Sequence, residues 1–411
     1  MSDFLQFITL LIIILAAAKF AGYLSTRIGQ PSVFGELLVG VLLGPSLLNI
    51  AGLPFISNSH LSDTIAELGE LGVMLLMFLA GLELNLKDLA KNTKVAAFAG
   101  VLGVLVPVAM GIGLGLLLDM TIHHSIFLGL TLGATSVSIS AQVLIELKAI
   151  RSKVGLGLLG AAIFDDVLVI LLLSSVLAVL SSTGGIVSIL IVFGKMLLFF
   201  GLSVAFGLWV LPAITRFTSK LVISQGITTL AIIILLVYGI AAELVGSMAA
   251  ITGAFLAGLM LGRTHEKSQI ETNLHAISYS FFVPIFFVSI GLSVDLHEIN
   301  LSSIWIILAI TAIAIVGKLI GSGSGALLSK FSFKEAIQLG IGMISRGEVG
   351  LIIAKIGLDS GFLSSELFSS VIAMILITTL ITPPLLRISF ANKKKNPLEI
   401  NKDTPSIQES A

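Results

Sequence analysis

Long apolar runs separated by brief polar punctuation dominate the chain. A hydrocarbon core of about 30 Å takes about 20 apolar residues of helix. At that length the runs predict thirteen spans, centred near Ile14, Gly40, Leu75, Gly103, Ala134, Asp166, Phe200, Ile234, Gly258, Pro284, Ala312, Ser345 and Ala373. The second and ninth are short and glycine-rich. Basic residues fall in alternate loops: 18 of the 23 Lys and Arg lie in such loops or in the tail, from Arg27 and Lys87 through Lys148 and Arg216 to Arg387 and Lys402. The intervening loops hold none. Because cytoplasmic loops collect Lys and Arg, this predicts an N-terminus outside and a C-terminal tail inside. The expected organisation is a transmembrane domain over 1–390 and a cytoplasmic tail over 391–411.

Two short segments recur. "GELLVGVLLG" from Gly35 matches "GAFLAGLMLG" from Gly253, 218 positions later, at five of ten positions. "GLELNL" from Gly81 matches "GLSVDL" from Gly291 at an offset of 210. The second span is thus paired with the ninth and the third with the tenth. A shift of seven spans reverses direction, so the pattern predicts two inverted repeats, spans one to six and eight to thirteen, with the seventh as linker. Inverted repeats are frequent in secondary transporters. The same shift pairs the fifth span, "LGATSVSISAQ" at its centre, with the twelfth, "IGMISRGEVGL". Small and hydroxyl-bearing residues at mid-membrane predict either unwound helices lining a cavity or ordinary helices with a small-residue packing face.

Composition changes the picture only by excluding. With 56% hydrophobic and 11% charged residues, against about 25% charged in soluble domains, the chain belongs in a lipid bilayer. The absence of cysteine removes disulfides, Cys-ligated metals and thiol chemistry. A formal net charge of zero gives nucleic acid no purchase.

Charge at depth is the informative exception. An ionised group at the bilayer centre costs roughly 2.5–3.5 kcal/mol on insertion scales, yet "AIFDDVLVI" holds Asp165 beside Asp166, "VGKLIG" holds Lys318, and "ISRGEVG" holds Arg346 and Glu348. Lys19 and Lys355 are placed to extend to an interface. Lys195 has no evident partner. Glu36, Glu67, Glu70, Glu83, Glu146 and Glu243 either line an access funnel or sit at span ends, and His123 and His124 are a loop pair.

Together "FGELLVGVLLGPSLL", "LMFLAGLELNL", "GATSVSIS", "AIFDDVLVI", "FFVPIFFVSIGLSVDL", "VGKLIG" and "ISRGEVGLIIA" resemble the monovalent cation:proton antiporter-2 family, in the sodium/proton antiporter branch related to the Nap and Kef transporters. The resemblance implies an all-α sodium/proton antiporter fold with two crossed discontinuous helices. It also implies a homodimer in a bacterial inner membrane and an elevator-like core of spans four to six and eleven to thirteen. By the same resemblance Asp166 carries the cation and proton, Asp165 pairs with Lys318, and Thr135 and Ser136 lie in the unwound part of the fifth span. Some relatives have a further aspartate where this chain has Ser136.

Elementary chemistry leads the same way. Neighbouring helical residues point about 100° apart, so Asp165 can face Lys318 while Asp166 faces a cavity, and the two should titrate differently. A carboxylate that holds a proton or a monovalent cation, never both, suffices for antiport. Asp166 with oxygens of Thr135 and Ser136 suits Na⁺ or Li⁺; no resident cofactor is expected. Arg346 and Glu348 are expected to compensate helix-dipole ends, with direct substrate contact as the alternative. The resemblance favours two protons per cation, an electrogenic cycle, because electroneutral relatives often have arginine where this chain has Lys318; K⁺/proton or electroneutral exchange is the alternative. Among other classes, an aspartyl protease needs carboxylates on facing helices, and a channel needs a filter element that is not found. A solute symporter shares the inverted-repeat scaffold. An enzyme is not expected.

Overall fold

Long apolar runs leave helix as the way for each run to satisfy its own backbone in lipid, even where Pro107, Pro383 and Pro384 fall inside a helix. The computed structural model describes residues 2–53, 61–180, 185–221, 223–293 and 304–391, and every regular element among them is helical. The spans, in order, are Asp3–Arg27, Ser32–Leu43, Leu61–Glu83, Thr93–Leu117, Ile122–Glu146, Lys153–Leu180 and Val187–Thr218. There follow Gly226–Leu244, Ala250–Leu261, Lys267–Leu292, Ile304–Leu328, the twelfth in two halves, Phe333–Gly342 and Glu348–Asp359, and Ser365–Phe390. Among the described residues, ten are long and apolar enough to cross a membrane alone, and the three short apolar helices belong to the second, ninth and twelfth spans. The tail beyond 391 lies outside the described residues.

The short spans are explained by what they touch. A Cβ on Gly40 would collide with the carbonyl of Val288 in the tenth span, and one on Gly258 with the carbonyl of Phe78 in the third. Val288 and Phe78 are themselves 210 positions apart, so the second span meets the tenth as the ninth meets the third. Gly35 and Gly253 repeat the device, pressed against the carbonyls of Ala21 and Tyr238. Backbone-to-backbone approach through glycine replaces the hydrophobic drive that lipid does not supply between helices. The inverted repeat is therefore present in the packing as well as in the wording of the chain.

Two bundles result. Spans one to three and eight to ten pack among themselves, while the fourth is flanked by the fifth, sixth and eleventh, and the twelfth and thirteenth close that second group. In the first bundle, Lys19 donates from Nζ to the Tyr279 carbonyl at 2.6 Å, at a π-helical turn, Ser278–Phe282, of the tenth span. The lysine expected to reach an interface thus serves an irregular stretch of backbone. Lys195 is exposed on the seventh span, which is buried over little of its length.

Overpacking a backbone contact of this kind costs about 1–3 kcal/mol or more. Gly258→Leu is expected to lower the thermal unfolding midpoint of the purified protein in detergent clearly, while Gly194→Leu, where a Cβ meets nothing within 4 Å, leaves it in place. Equal midpoints for the two variants would contradict the close approach of the third and ninth spans.

Candidate functional site

Both centrally placed polar segments are broken helices. The fifth span runs as Ile122–Gly133, then Ala134 and Ser136 in extended conformations, then Val137–Glu146. The twelfth stops at Gly342 and restarts at Glu348. They cross at two serines: the Ser136 amide donates to the Ser345 carbonyl at 2.9 Å, and Ser345 Oγ donates to the Ser136 carbonyl at 2.5 Å. Ser140 Oγ donates to the Gly342 carbonyl at 2.6 Å. Gly347 lies so close to the Ser136 side chain that a Cβ would clash. Small hydroxyl residues are what this geometry demands, because each supplies a hydrogen bond to backbone that the helix has released.

The cations lie where carbonyls have been freed. Arg346, fully buried, donates from one terminal nitrogen to the carbonyls of Met343 and Ile344, 3.1 and 2.7 Å away. Its other terminal nitrogen donates to Leu132 and Ala314, at 2.8 and 3.1 Å. Leu132 is in the last turn of the first half of the fifth span and Met343 follows the first half of the twelfth, so one guanidinium sits at the negative ends of both half-helices. Thr379 Oγ1 donates to the Arg346 carbonyl. The side chain of Glu348 lies outside the described residues.

Lys318, also fully buried, is held by two oxygens: the Gly133 carbonyl at 2.7 Å and Asp165 Oδ1 at 3.0 Å. Asp165 is 1% exposed. The Thr135 hydroxyl borders this carboxylate but forms no well-aligned hydrogen bond. Asp166, one residue on, is half-buried and points elsewhere: its Oδ2 accepts from Thr252 Oγ1 of the ninth span at 2.9 Å. Ser136 has its hydroxyl on Ser138 and its carbonyl on Ser345. Asp165, Lys318 and Thr135 are therefore brought together, Asp166 adjoins them on another face, and Ser136 is engaged at the crossing.

Two cavities lie between the bundles, and the first borders the crossing at Gly347. One of about 320 Å³, on the N-terminal side, lies between the bundles and is lined by Glu70, Glu243, Ile251, Gly347 and Leu351. Another, of about 380 Å³ on the basic face, is lined by Glu83, Asn85, Arg151, Arg263 and Lys267. Glu36 borders a smaller one, and Glu146 accepts from the Ser32 amide at the start of the second span. His123 is exposed.

The sodium/hydrogen exchanger transmembrane family model matches residues 12–389. The chain belongs to that family. It is 41% identical to the Na⁺/H⁺-K⁺ antiporter GerN of Bacillus cereus over 95% of this chain and 98% of that protein. It is 38% identical to an Na⁺/H⁺ antiporter of Enterococcus hirae, over 93% and 98% of the two chains. The solved sodium/proton antiporter MjNhaP1 of Methanocaldococcus jannaschii superposes with a TM-score of 0.69 at 17% identity, covering 94% of this chain and 98% of that one, which shows a shared fold. The family member described here adds contacts that span-by-span reading misses: Thr252, Ser345, Thr379 and the Gly133 carbonyl. One signal was available for Thr252, the only polar side chain in "AITGAFLAGLML", which stands where the repeat has Phe34.

Removing one partner from a buried charged network costs about 3–5 kcal/mol because the others are left unpaired. Arg346→Met is expected to destabilise the protein by that order, and Arg346→Lys to rescue little, since a single ammonium cannot span carbonyls on the fifth, eleventh and twelfth spans. Thermal unfolding of both variants in detergent is the check; a wild-type midpoint for Arg346→Met would refute the bridging role.

Proposed function

We propose that the chain exchanges Na⁺ or Li⁺ for protons across the membrane, with Asp166 as the carrier. Membership of the exchanger family and full-length likeness to named antiporters support monovalent cation/proton antiport; the assignment to Asp166 rests on one observation. Of two adjacent carboxylates, Asp165 is committed to Lys318, while Asp166 is half-buried and meets a neutral hydroxyl. A carboxylate held by an ammonium has little to offer an incoming cation, whereas one held by a hydroxyl can exchange that donor for a proton or for Na⁺. Thr135, beside the pair, and backbone oxygens of the unwound segment complete an all-oxygen environment suited to a hard monovalent cation. Ser136, engaged at the crossing, acts through the backbone it holds in place.

Arg346, with Glu348 at the start of the second half of the twelfth span, compensates the dipole ends that the breaks expose. The bundle of spans four to six and eleven to thirteen then moves as one body against spans one to three and eight to ten, carrying the crossing between the two faces in an elevator-like step. The domain limits are those of the repeats, the assembly is a homodimer, and the basic loops are cytoplasmic.

Charge balance follows from Lys318. When a cation reaches Asp166, the site gives up the proton held there and a second from the Asp165–Lys318 pair, so each cycle moves one net charge. One elementary charge falling through 100 mV is worth about 2.3 kcal/mol, enough to bias direction. An arginine at this position would stay charged and favour electroneutral exchange.

Asp166→Asn is expected to abolish cation-driven proton flux in proteoliposomes, since an amide neither releases a proton nor offers a full charge; substantial flux in a well-folded variant would remove Asp166 from the role. Any exchange that survives in Lys318→Gln is expected to lose its response to membrane voltage. A voltage response equal to wild type would separate Lys318 from the second proton.

A further inference from the structure

Thr252 reaches Asp166 from the other bundle. It lies in the first turn of the ninth span, after an extended Ala249, with its amide bonded to the Ala249 carbonyl. Its side chain is buried, and its Oγ1 donates to Asp166 Oδ2 at 2.9 Å. The backbone that presents it is fixed, because Gly253 is pressed against the Tyr238 carbonyl. In the repeat the corresponding residue is Phe34, so this hydroxyl belongs to one half of the protein alone.

We propose that Thr252 is a positioning residue for the carrier: its hydroxyl holds Asp166 in the charged, cation-free form and is displaced each time the carboxylate takes a proton or a cation. The inference rests on the reading of Asp166 as the carrier. A hydrogen bond to an ionised acceptor is roughly twice as strong as one between neutral groups, so this donor favours the empty carboxylate over the protonated acid. Charged groups near Asp166 include Asp165 on its own span and Lys318 from the eleventh, while Arg346, at the break of the twelfth, faces Asp165. The ninth span brings no charge at all. Replacing Thr252 therefore changes one donor and leaves the surrounding charges intact.

The contact also crosses between bundles. While it is made, the unloaded carboxylate is tied to the scaffold against which its own bundle slides. Loading the site with either transported ion releases the tie. An empty bundle is thereby disfavoured from moving, and that is the condition for coupled exchange.

The test is the pH dependence of Na⁺-driven proton flux in proteoliposomes for wild type, Thr252→Val, Thr252→Ala and Thr252→Ser, with Asp166→Asn alongside. Loss of the donor in the Val and Ala variants is expected to move the half-maximal pH of exchange, at sub-saturating Na⁺, about one unit toward alkaline. Their apparent KM for Na⁺ should fall about tenfold at the alkaline end of the range, where the empty carboxylate is the state left behind, and converge on wild type at the acidic end, where proton and cation gain equally. The Ser variant should restore the wild-type profile. An unmoved profile in Val and Ala, or a KM raised by the same factor at every pH, would overturn the proposal. Flux surviving in Asp166→Asn would instead overturn the carrier reading, so the two failures are distinguishable.

Discussion

Opposite charges 3.0 Å apart in the middle of a bundle, Asp165 and Lys318, set the terms for the structure around them. Neither can be carried into lipid alone, and even a pair is marginal unless its remaining hydrogen-bonding capacity is met. The unwound fifth span meets it: breaking the helix after Gly133 releases the carbonyl that Lys318 takes as its second partner. The same break, with its counterpart in the twelfth span, leaves carbonyls that a second buried cation must answer. Arg346 does so with four hydrogen bonds. Charge and irregular backbone thus require each other, and removing either leaves the other unsatisfied at a depth where water is scarce.

The rest of the molecule keeps this arrangement in place. Serines tie the two breaks into one unit, because Ser136 and Ser345 exchange a backbone and a side-chain hydrogen bond. Glycine contacts lock the second span to the tenth and the ninth to the third, giving a scaffold that does not depend on the polar centre. Between the bundles lie cavities. Asp166 sits on that boundary, one residue and about 100° from its neutralised neighbour.

Much of this was legible in the chain. The number of spans, their inverted pairing and the two interrupted helices follow from hydrophobic length, a repeated decapeptide and glycine, serine and threonine where leucine would be expected. The rarity of charge at that depth says that Lys318 needs a partner, and the family resemblance names Asp165 as that partner. What could not be read is the direction each side chain takes once the backbone leaves helical periodicity. Ser136 and Thr135 are adjacent in the chain, yet one is absorbed by the crossing and the other borders the carboxylate, and no periodicity predicts conformation across an unwound turn. Thr252 escaped for another reason: a single hydroxyl in an apolar helix is common, and only its partner makes it notable. Lys19 likewise looks like an interfacial lysine until the π turn at Ser278–Phe282 is seen to need its donor.

The central claim is that a buried lysine–aspartate pair and a separate carboxylate form one site, so that two protons leave for each cation that enters. Reversal potential in proteoliposomes carrying the wild-type protein measures this directly: voltage is clamped at a series of values and the Na⁺ gradient that halts proton flux is found at each. The account predicts a null gradient that shifts with voltage, and with pH difference, as two protons per Na⁺ require. A null gradient that stays fixed at every voltage would contradict it.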